Sequence, residues 1–231
     1  MGHSMGGGVV LTYLLRPDSP YHAQSKTNHP PITLAGVLAY SPLITLAPNI
    51  RPSKLTLLSG RLAARIFPNW QRVSPLDTTL FTRDKQAADA FAADKLNHDI
   101  GTLEGLAAML DRGLWLEHVS AADCAGAGSV PLWFAHGEAD QITSCEGTRR
   151  LANLLSGKGD VTFCSYEGAY HVLHAELPAV KERFTRDLTK WVLERSSASG
   201  NEVKADRVQE SERDEGIVIG SGDEKDVKAR L

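Results

Sequence analysis

The pentapeptide GHSMG (residues 2–6) matches the pattern G-x-S-x-G, in which a serine stands on a tight turn from a strand to a helix. The turn presents the hydroxyl of Ser4 to its surroundings, and the apolar spacing after it predicts a helix over Met5–Arg16 that Pro17 ends. At the start of such a helix the backbone N–H of Met5 is placed to hold a developing oxyanion. The alternative interpretation of the pentapeptide is a glycine-rich helix start without chemistry.

Three short, nearly continuous apolar runs predict buried parallel strands. They lie within Ile32–Pro42, Pro131–Gly137 and Val161–Gly168, and helical patterns cover Cys145–Ser156 and Pro178–Arg195. Because strands and helices alternate, we expect an α/β fold with a parallel sheet, right-handed crossovers and flanking helices.

About ninety residues between the first and second of these apolar runs break the alternation. Helical patterns cover Leu55–Ile66 and Thr102–Val119, and structureless loops of that length are uncommon. We therefore predict a helical lid insertion at about residues 43–120, over a pocket. Its first helical pattern, with the residue after it, carries a cluster of large apolar side chains near Pro68: Leu57, Leu58, Leu62, Ile66 and Phe67.

Charge and composition divide the 231 residues into a body and a tail. Residues 197–231 hold nine acidic and six basic side chains, so they account for the whole net charge of -3, and they have few large apolar side chains and no aromatic one. We expect one domain over residues 1–196 and a disordered charged tail over 197–231. The near-neutral body has no basic stripe, which argues against nucleic acid as a partner.

The cysteines and histidines predict neither a disulfide framework nor a metal site. Cys124, Cys145 and Cys164 are widely spaced, and none of the eight histidines belongs to an HExxH pattern. No apolar run approaches the roughly 20 residues that span a bilayer. The expected protein is cytoplasmic and uses no cofactor and no metal.

Asp140 and His171 each follow a predicted strand, at the edge of the sheet where Ser4 also stands. Catalytic groups of open α/β sheets collect at the carboxyl ends of strands. The order Ser, Asp, His along the chain is that of an α/β-hydrolase. We therefore predict a catalytic triad for acyl transfer, with Ser4 as nucleophile, His171 as general base and Asp140 orienting the imidazole.

Each of these assignments has an alternative on the sequence alone. Asp140 is also suited to cap the next helix, His171 to be a polar loop residue, and Asp123 or Asp160 to replace Asp140.

The other histidines and Cys145 have less direct interpretations. His3 is expected in the pocket wall, while His136 and His174 are expected to pack or to form local hydrogen bonds. Cys145 lines the same cavity or is a small buried apolar side chain.

Four segments resemble the monoacylglycerol lipase family of α/β-hydrolases: GHSMGGG (2–8), AYSPLITLAPN (39–49), HGEADQIT (136–143) and YEGAYHVLHAELP (166–178). The likeness runs from Gly2 to about Glu194, and the last segment is highly specific. It implies a serine esterase that splits monoacylglycerol into glycerol and fatty acid, with Ser4, Asp140 and His171 as its triad. It also implies a cytoplasmic protein that contacts membranes or lipid droplets transiently.

The same resemblance implies a partial fold. Family members carry further strands before the serine and an "HG" loop that supplies a second oxyanion donor, so we expect a partial α/β-hydrolase fold, truncated at its N-terminus, with impaired activity. The family's lid admits an acyl chain and touches the membrane, which implies substrate binding by the five apolar lid residues named above; ordinary core packing is their alternative role. Other functions left open are a non-catalytic remnant that binds lipid or a partner, and a related esterase or lysophospholipase.

Overall fold

A computed structural model describes residues 1–24, 32 and 34–198. Its strands are β1 (Gly2–His3), β2 (Val37–Tyr40), β3 (Gln71–Val73), β4 (Ile100–Thr102), β5 (Leu132–Gly137) and β6 (Val161–Tyr166). Its helices are α1 (Met5–Leu15), α2 (Pro20–Gln24), α3 (Lys54–Ile66), α4 (Lys85–Ala93), α5 (Leu103–His118), α6 (Cys145–Ser156) and α7 (Pro178–Ala198). The predicted charged tail lies outside the described residues, except for its first two positions, which end α7.

Four of the strands form one parallel sheet in the order β1, β2, β5, β6. Ala39 of β2 pairs with Phe134 of β5, which pairs with Phe163 of β6. The predicted α/β fold, a parallel sheet with flanking helices, is confirmed. Since all four strands are parallel, their carboxyl ends meet at one edge of the sheet, where the loops carrying Ser4, Asp140 and His171 begin.

Alternate residues of the central strand β5 pack into two separate cores. Leu132 and Phe134 join a core formed with α1, α5 and α6. Trp133 and Ala135 point to the opposite face and pack with Phe184 of α7. Because both faces are covered, the strand is apolar throughout, which explains the continuous run in the sequence.

The predicted insertion contains more structure than two helices. α3 packs against α5, and β3 and β4 form a separate antiparallel pair between them. α4 begins after Asp84, whose carboxylate accepts hydrogen bonds from the backbone N–H groups of Gln86 and Ala87. The insertion's role as a lid stays a prediction.

None of the helices in the described part of the chain combines the length and apolar character needed to cross a bilayer.

Candidate active site

Ser4 stands on a strained turn between β1 and α1. Its backbone angles are φ 50° and ψ −120°, in a region that costs a non-glycine residue about 1–3 kcal/mol. A Cβ at Gly2 would lie 2.3 Å from the carbonyl oxygen of Gly6, so the turn requires glycine there, whereas a Cβ at Gly6 would meet open space. The Ser4 side chain makes no capping hydrogen bond to α1, which leaves its hydroxyl available for other groups.

Met5 is the first residue of α1, and its backbone N–H is one of the unpaired donors that every helix start carries. The helix dipole favours negative charge at this position. This placement suits the oxyanion role that the sequence predicts for Met5, which stays a prediction.

Asp140 lies in the loop after β5 with a fully buried carboxylate. Its Oδ1 accepts hydrogen bonds from the backbone N–H groups of Ile142, at 2.8 Å, and Thr143, at 3.0 Å. Its Oδ2 accepts from His171 Nδ1 at 2.7 Å, Thr143 Oγ1 at 2.9 Å and His136 Nε2 at 3.1 Å. Five donors therefore hold one carboxylate in place.

These donors also determine the charge of Asp140. Burial by itself raises the pKa of the carboxyl, but the hydrogen bonds from His136 and His171 outweigh it, and the pKa lies well below its ordinary value. Asp140 is consequently an anion at neutral pH, as an imidazole-orienting group must be.

His171 lies in the loop after β6 and is buried. The loop approaches β5 so closely that a Cβ at Gly137 would lie 2.2 Å from the carbonyl oxygen of Tyr170. Because Nδ1 of His171 donates to Asp140, its Nε2 is left as a proton acceptor. His171 contacts Asp140 rather than the alternatives: Asp123 accepts from Ser120, and Asp160 pairs with Arg195.

Ser4 and His171 line the same cavity, which has a volume of about 310 Å³. Within the described residues no hydrogen bond joins the Ser4 hydroxyl to the His171 ring. Such bonds are often long before substrate binds and tighten in the reacting complex. The structure thus brings Asp140 and His171 into contact and places Ser4 on the wall that His171 shares.

The polar side of this cavity is formed by imidazole rings, which pack against Tyr40 behind them. His3 stacks on Tyr40, with ring centroids 4.5 Å apart, and its Nε2 donates to the carbonyl oxygen of His171 over 3.3 Å. Burial and the neighbouring His171 lower the pKa of His3 to about 3. Burial also lowers the pKa of His174, whose Nδ1 lies 3.1 Å from the Tyr40 hydroxyl. His3 therefore belongs to the pocket wall, as predicted, and is neutral at pH 7.

The apolar side comes from a part of the predicted insertion that lies between its two predicted helices and was not singled out from the sequence. Leu76, Phe81, Ala87, Ala88 and Phe91 line it, and the rings of Phe81 and Phe91 lie 4.7 Å apart. The backbone N–H of Val172 donates to the carbonyl oxygen of Phe81 at 2.8 Å, so this wall is attached to the loop that carries His171.

A second buried carboxylate, also missed from the sequence, holds that attachment. Glu176 is fully buried and accepts four hydrogen bonds: from Arg83 Nε at 3.0 Å and from the backbone N–H groups of Arg83, Tyr170 and Leu177 at 3.2, 3.0 and 2.9 Å. Tyr170 directly precedes His171. Glu176 thus ties the cavity wall, the His171 loop and the start of α7 together.

The five lid residues predicted to bind substrate lie elsewhere. Leu58 and Leu62 line a cleft between α3 and α5, and Leu57 lines two smaller cavities beside α5. Ile66 and Phe67 are more than half exposed. None of the five lines the cavity of Ser4. The exposure of Leu58, Leu62, Ile66 and Phe67 also rules out ordinary core packing for these four.

Cys145 does not line this cavity either. It is the first residue of α6 and half-buried, and burial raises the pKa of its thiol.

Known proteins similar to this chain include several monoglyceride lipases. The putative monoglyceride lipase of Schizosaccharomyces pombe is 29% identical over 86% of this chain and 48% of its own length. The human monoglyceride lipase is 29% identical over 87% of this chain and 59% of its own length. The chain therefore spans about half the length of these relatives.

Solved structures give the same relationship. The fold is shared with a soluble variant of monoglyceride lipase from Saccharomyces cerevisiae, at a TM-score of 0.69 and 23% identity over 84% of this chain and 64% of that one. The monoacylglycerol lipase of Paleococcus ferrophilus matches with a TM-score of 0.65 and 26% identity over 84% of this chain and 67% of that one.

A family model, Hydrolase_4, described as serine aminopeptidase S33, matches residues 1–178. The resemblance to monoacylglycerol lipases among the α/β-hydrolases is thereby confirmed, and the chain belongs to the Hydrolase_4 family.

Proposed function

We propose that this chain is a serine hydrolase that cleaves the carboxylic ester of a monoacylglycerol, releasing glycerol and a fatty acid, with Ser4, Asp140 and His171 as its triad. The observation that carries the proposal is that Ser4 and the Asp140–His171 pair meet at one cavity. A serine on a strained turn, with no cap to make, shares the cavity with an imidazole that a buried carboxylate orients. The monoglyceride lipases among its relatives support the substrate class.

The proposed reaction has two halves. His171 Nε2 takes the proton of Ser4 as Oγ attacks the ester carbonyl, and the N–H of Met5 stabilises the oxyanion of the tetrahedral intermediate. The protonated His171 then donates that proton to the departing glycerol oxygen, which leaves an acyl-serine. Water, deprotonated by His171, then attacks this ester, and His171 returns the proton to Ser4 Oγ as the fatty acid leaves. Asp140 fixes the tautomer and stabilises the imidazolium throughout.

The lining of the cavity favours a long acyl chain. Its apolar wall includes Leu76, Phe81 and Phe91, and each methylene removed from water contributes roughly 0.8 kcal/mol. A long chain therefore gains more from this wall than an acetyl group does.

The exposed face of α3 supports transient contact with a membrane or lipid-droplet surface. Leu55, Leu58, Leu62 and Ile66 recur at helical spacing and are all more than half exposed, at 76%, 64%, 60% and 59%. Arg61 and Arg65 lie on the same helix. A helix with an exposed apolar stripe and basic side chains is typical of segments that lie in a lipid interface. We place the protein in the cytoplasm, at such surfaces.

The test combines a fluorophosphonate probe with a chain-length series. Labelling of Ser4 that is lost in Ser4→Ala, together with faster hydrolysis of long-chain monoacylglycerols than of acetyl esters, is the expected result. A chain that folds but neither labels nor hydrolyses any ester is the non-catalytic remnant considered above. Labelling with a preference for acetyl esters rejects the lipid substrate but keeps the hydrolase.

A further inference from the structure

His136 is a second histidine on the carboxylate of Asp140. It lies in β5, is completely buried, and its ring nitrogens contact four polar groups, one of which is Thr143 Oγ1, 3.3 Å from Nε2. Its Nε2 is 3.1 Å from Asp140 Oδ2 and 3.2 Å from the carbonyl oxygen of Thr143. Its Nδ1 is 2.9 Å from Thr148 Oγ1.

These contacts determine the tautomer of His136. Two of the groups facing Nε2, the Asp140 carboxylate and the Thr143 carbonyl oxygen, only accept hydrogen bonds. The third, Thr143 Oγ1, donates its own proton to Asp140 Oδ2 and so presents a lone pair. Nε2 therefore carries the proton and donates it. Nδ1 then has a free lone pair and accepts the hydroxyl proton of Thr148. Thr148 is fully buried on α6, and its hydrogen bond to Nδ1 fixes the orientation of the His136 ring.

The hydrogen bond from His136 reaches the same carboxylate oxygen that holds His171. Oδ2 of Asp140 receives the His171 ring, the Thr143 hydroxyl and the His136 ring. A carboxylate that gives part of its negative charge to His136 attracts a proton on His171 less strongly. The same donor, held rigidly in the central strand, keeps Oδ2 from rotating away from His171.

We propose that His136 is a positioning residue of this site. Its Nε2–H holds Asp140 Oδ2 in place beside His171 and weakens the attraction of that oxygen for a proton on His171, and Thr148 fixes the orientation of the His136 ring. The effect of His136 on turnover rests on the proposed function. Its effect on the Asp140–His171 pair does not, because that pair is a feature of the fold. A merely structural role for His136 would require packing volume but no proton at Nε2.

Three variants separate these roles. His136→Leu removes the donor, His136→Gln keeps an N–H donor on a side chain of similar reach, and Thr148→Val keeps the shape of Thr148 but releases the His136 tautomer. The first readout is the titration midpoint of His171, measured by NMR on the full chain with isotope-labelled histidine. The second is the pH profile of kcat/KM for a p-nitrophenyl ester.

Among the described residues, His3 of β1 and Cys145 at the start of α6 interact electrostatically with the pair, and His174 of the loop after β6 packs edge-on against His3. All three are unchanged in these variants. A shift of the His171 midpoint therefore reports on His136.

In His136→Leu we expect the His171 midpoint and the acid limb of the profile to move to higher pH, because Asp140 no longer shares its charge. We expect kcat/KM to fall on the order of tenfold, the equivalent of one hydrogen bond to a charged group. Thr148→Val shifts both readouts in the same direction by less, and His136→Gln restores most of the parent behaviour.

An unchanged His171 midpoint in folded His136→Leu overturns the proposal, and if that variant does not fold, an unchanged midpoint in Thr148→Val does so. If the parent chain hydrolyses no ester, the proposed function fails, while the NMR midpoints still decide the role of His136.

Discussion

The sheet edge that carries Asp140 buries charged side chains, whereas the insertion that carries α3 exposes large apolar ones. At the edge, charged groups are buried and fully paired: Asp140 accepts five hydrogen bonds and Glu176 four. On α3, large apolar side chains are exposed and unpaired with any core. Burying an unpaired charge is far more costly than exposing a leucine. Each buried carboxylate oxygen at the edge is therefore held by specific hydrogen bonds. The exposed apolar side chains of α3 remain available to contact a lipid surface.

Ion pairs show the same contrast. Arg61 and Asp111 join α3 to α5 with both side chains about half exposed. Arg83 instead pairs with the fully buried Glu176. Exposed pairs contribute about 0–1 kcal/mol, whereas removing one partner of a buried pair costs about 3–5 kcal/mol. The edge and the insertion should thus respond very differently to loss of a charge.

The largest effect should follow Ser4→Ala. We expect hydrolysis of a p-nitrophenyl ester to fall by about 10⁴-fold or more, because no other group supplies the attacking oxygen. Ser41→Ala is the matched control. Ser41 also has a positive φ, 42°, and its buried hydroxyl has no partner among the described residues, so its loss should leave the rate unchanged. Equal losses in both variants would show that general unfolding, not chemistry, is being measured.

Glu176→Gln tests the buried carboxylate of the edge. The amide keeps the shape but loses the charge that pairs with Arg83, and its NH₂ group faces backbone donors, so we expect about 3–5 kcal/mol less free energy of unfolding. Asp111→Asn, on the exposed pair of the insertion, should lose about 1 kcal/mol or less. Urea unfolding of both variants measures the difference. Equal destabilisation by the two changes would remove the contrast between the regions.

His3 makes the edge sensitive to acid. The folded chain keeps His3 neutral down to about pH 3, whereas the unfolded chain takes up the proton below its ordinary value of 6.5, so stability falls as pH drops through this window. Between pH 6.5 and 5 the loss is at most about 2 kcal/mol. In His3→Phe, which keeps a ring against Tyr40, the unfolding free energy should depend less on pH over this range. An unchanged slope would contradict the assignment.

The smallest effect should come from the α3 face. The double change Leu58→Ser and Leu62→Ser removes exposed apolar area and touches no group that lines the Ser4 cavity. We expect several-fold slower hydrolysis of monoacylglycerol in phospholipid vesicles and an unchanged rate on a dissolved short-chain ester. Equal rates in both assays would leave this face without a lipid-binding role.

The two regions also differ in how far the sequence predicted them. α6 has its predicted bounds because Ser144 caps it and Leu151 and Leu155 recur on its buried face. Asp140 and His171 were identified because each follows an apolar strand, and parallel strands end at one edge. These are local signals.

In the insertion such signals are weak. Gln71–Val73 is exposed on all three residues and shows no alternation, and Lys85–Ala93 has few large apolar side chains, so β3 and α4 were missed. Phe81 reaches the cavity only because its carbonyl oxygen docks on Val172, a contact between segments far apart in the chain. The contact of His136 with Asp140 was missed for a different reason: only four residues separate them, but the turn after β5 that brings Asp140 back to the strand leaves no periodic pattern in the sequence.

The most direct test of the central claim, that Asp140 orients His171 for attack by Ser4, is the rate of ester hydrolysis by Asp140→Asn beside Asp160→Asn. Asn at 140 reverses the hydrogen bonding at His171 Nδ1 and should lower kcat/KM by about 10⁴-fold. Asn at 160 touches only the surface pair with Arg195 and should leave the rate at the parent value. Equal rates in the two variants, with both chains folded, would contradict the account.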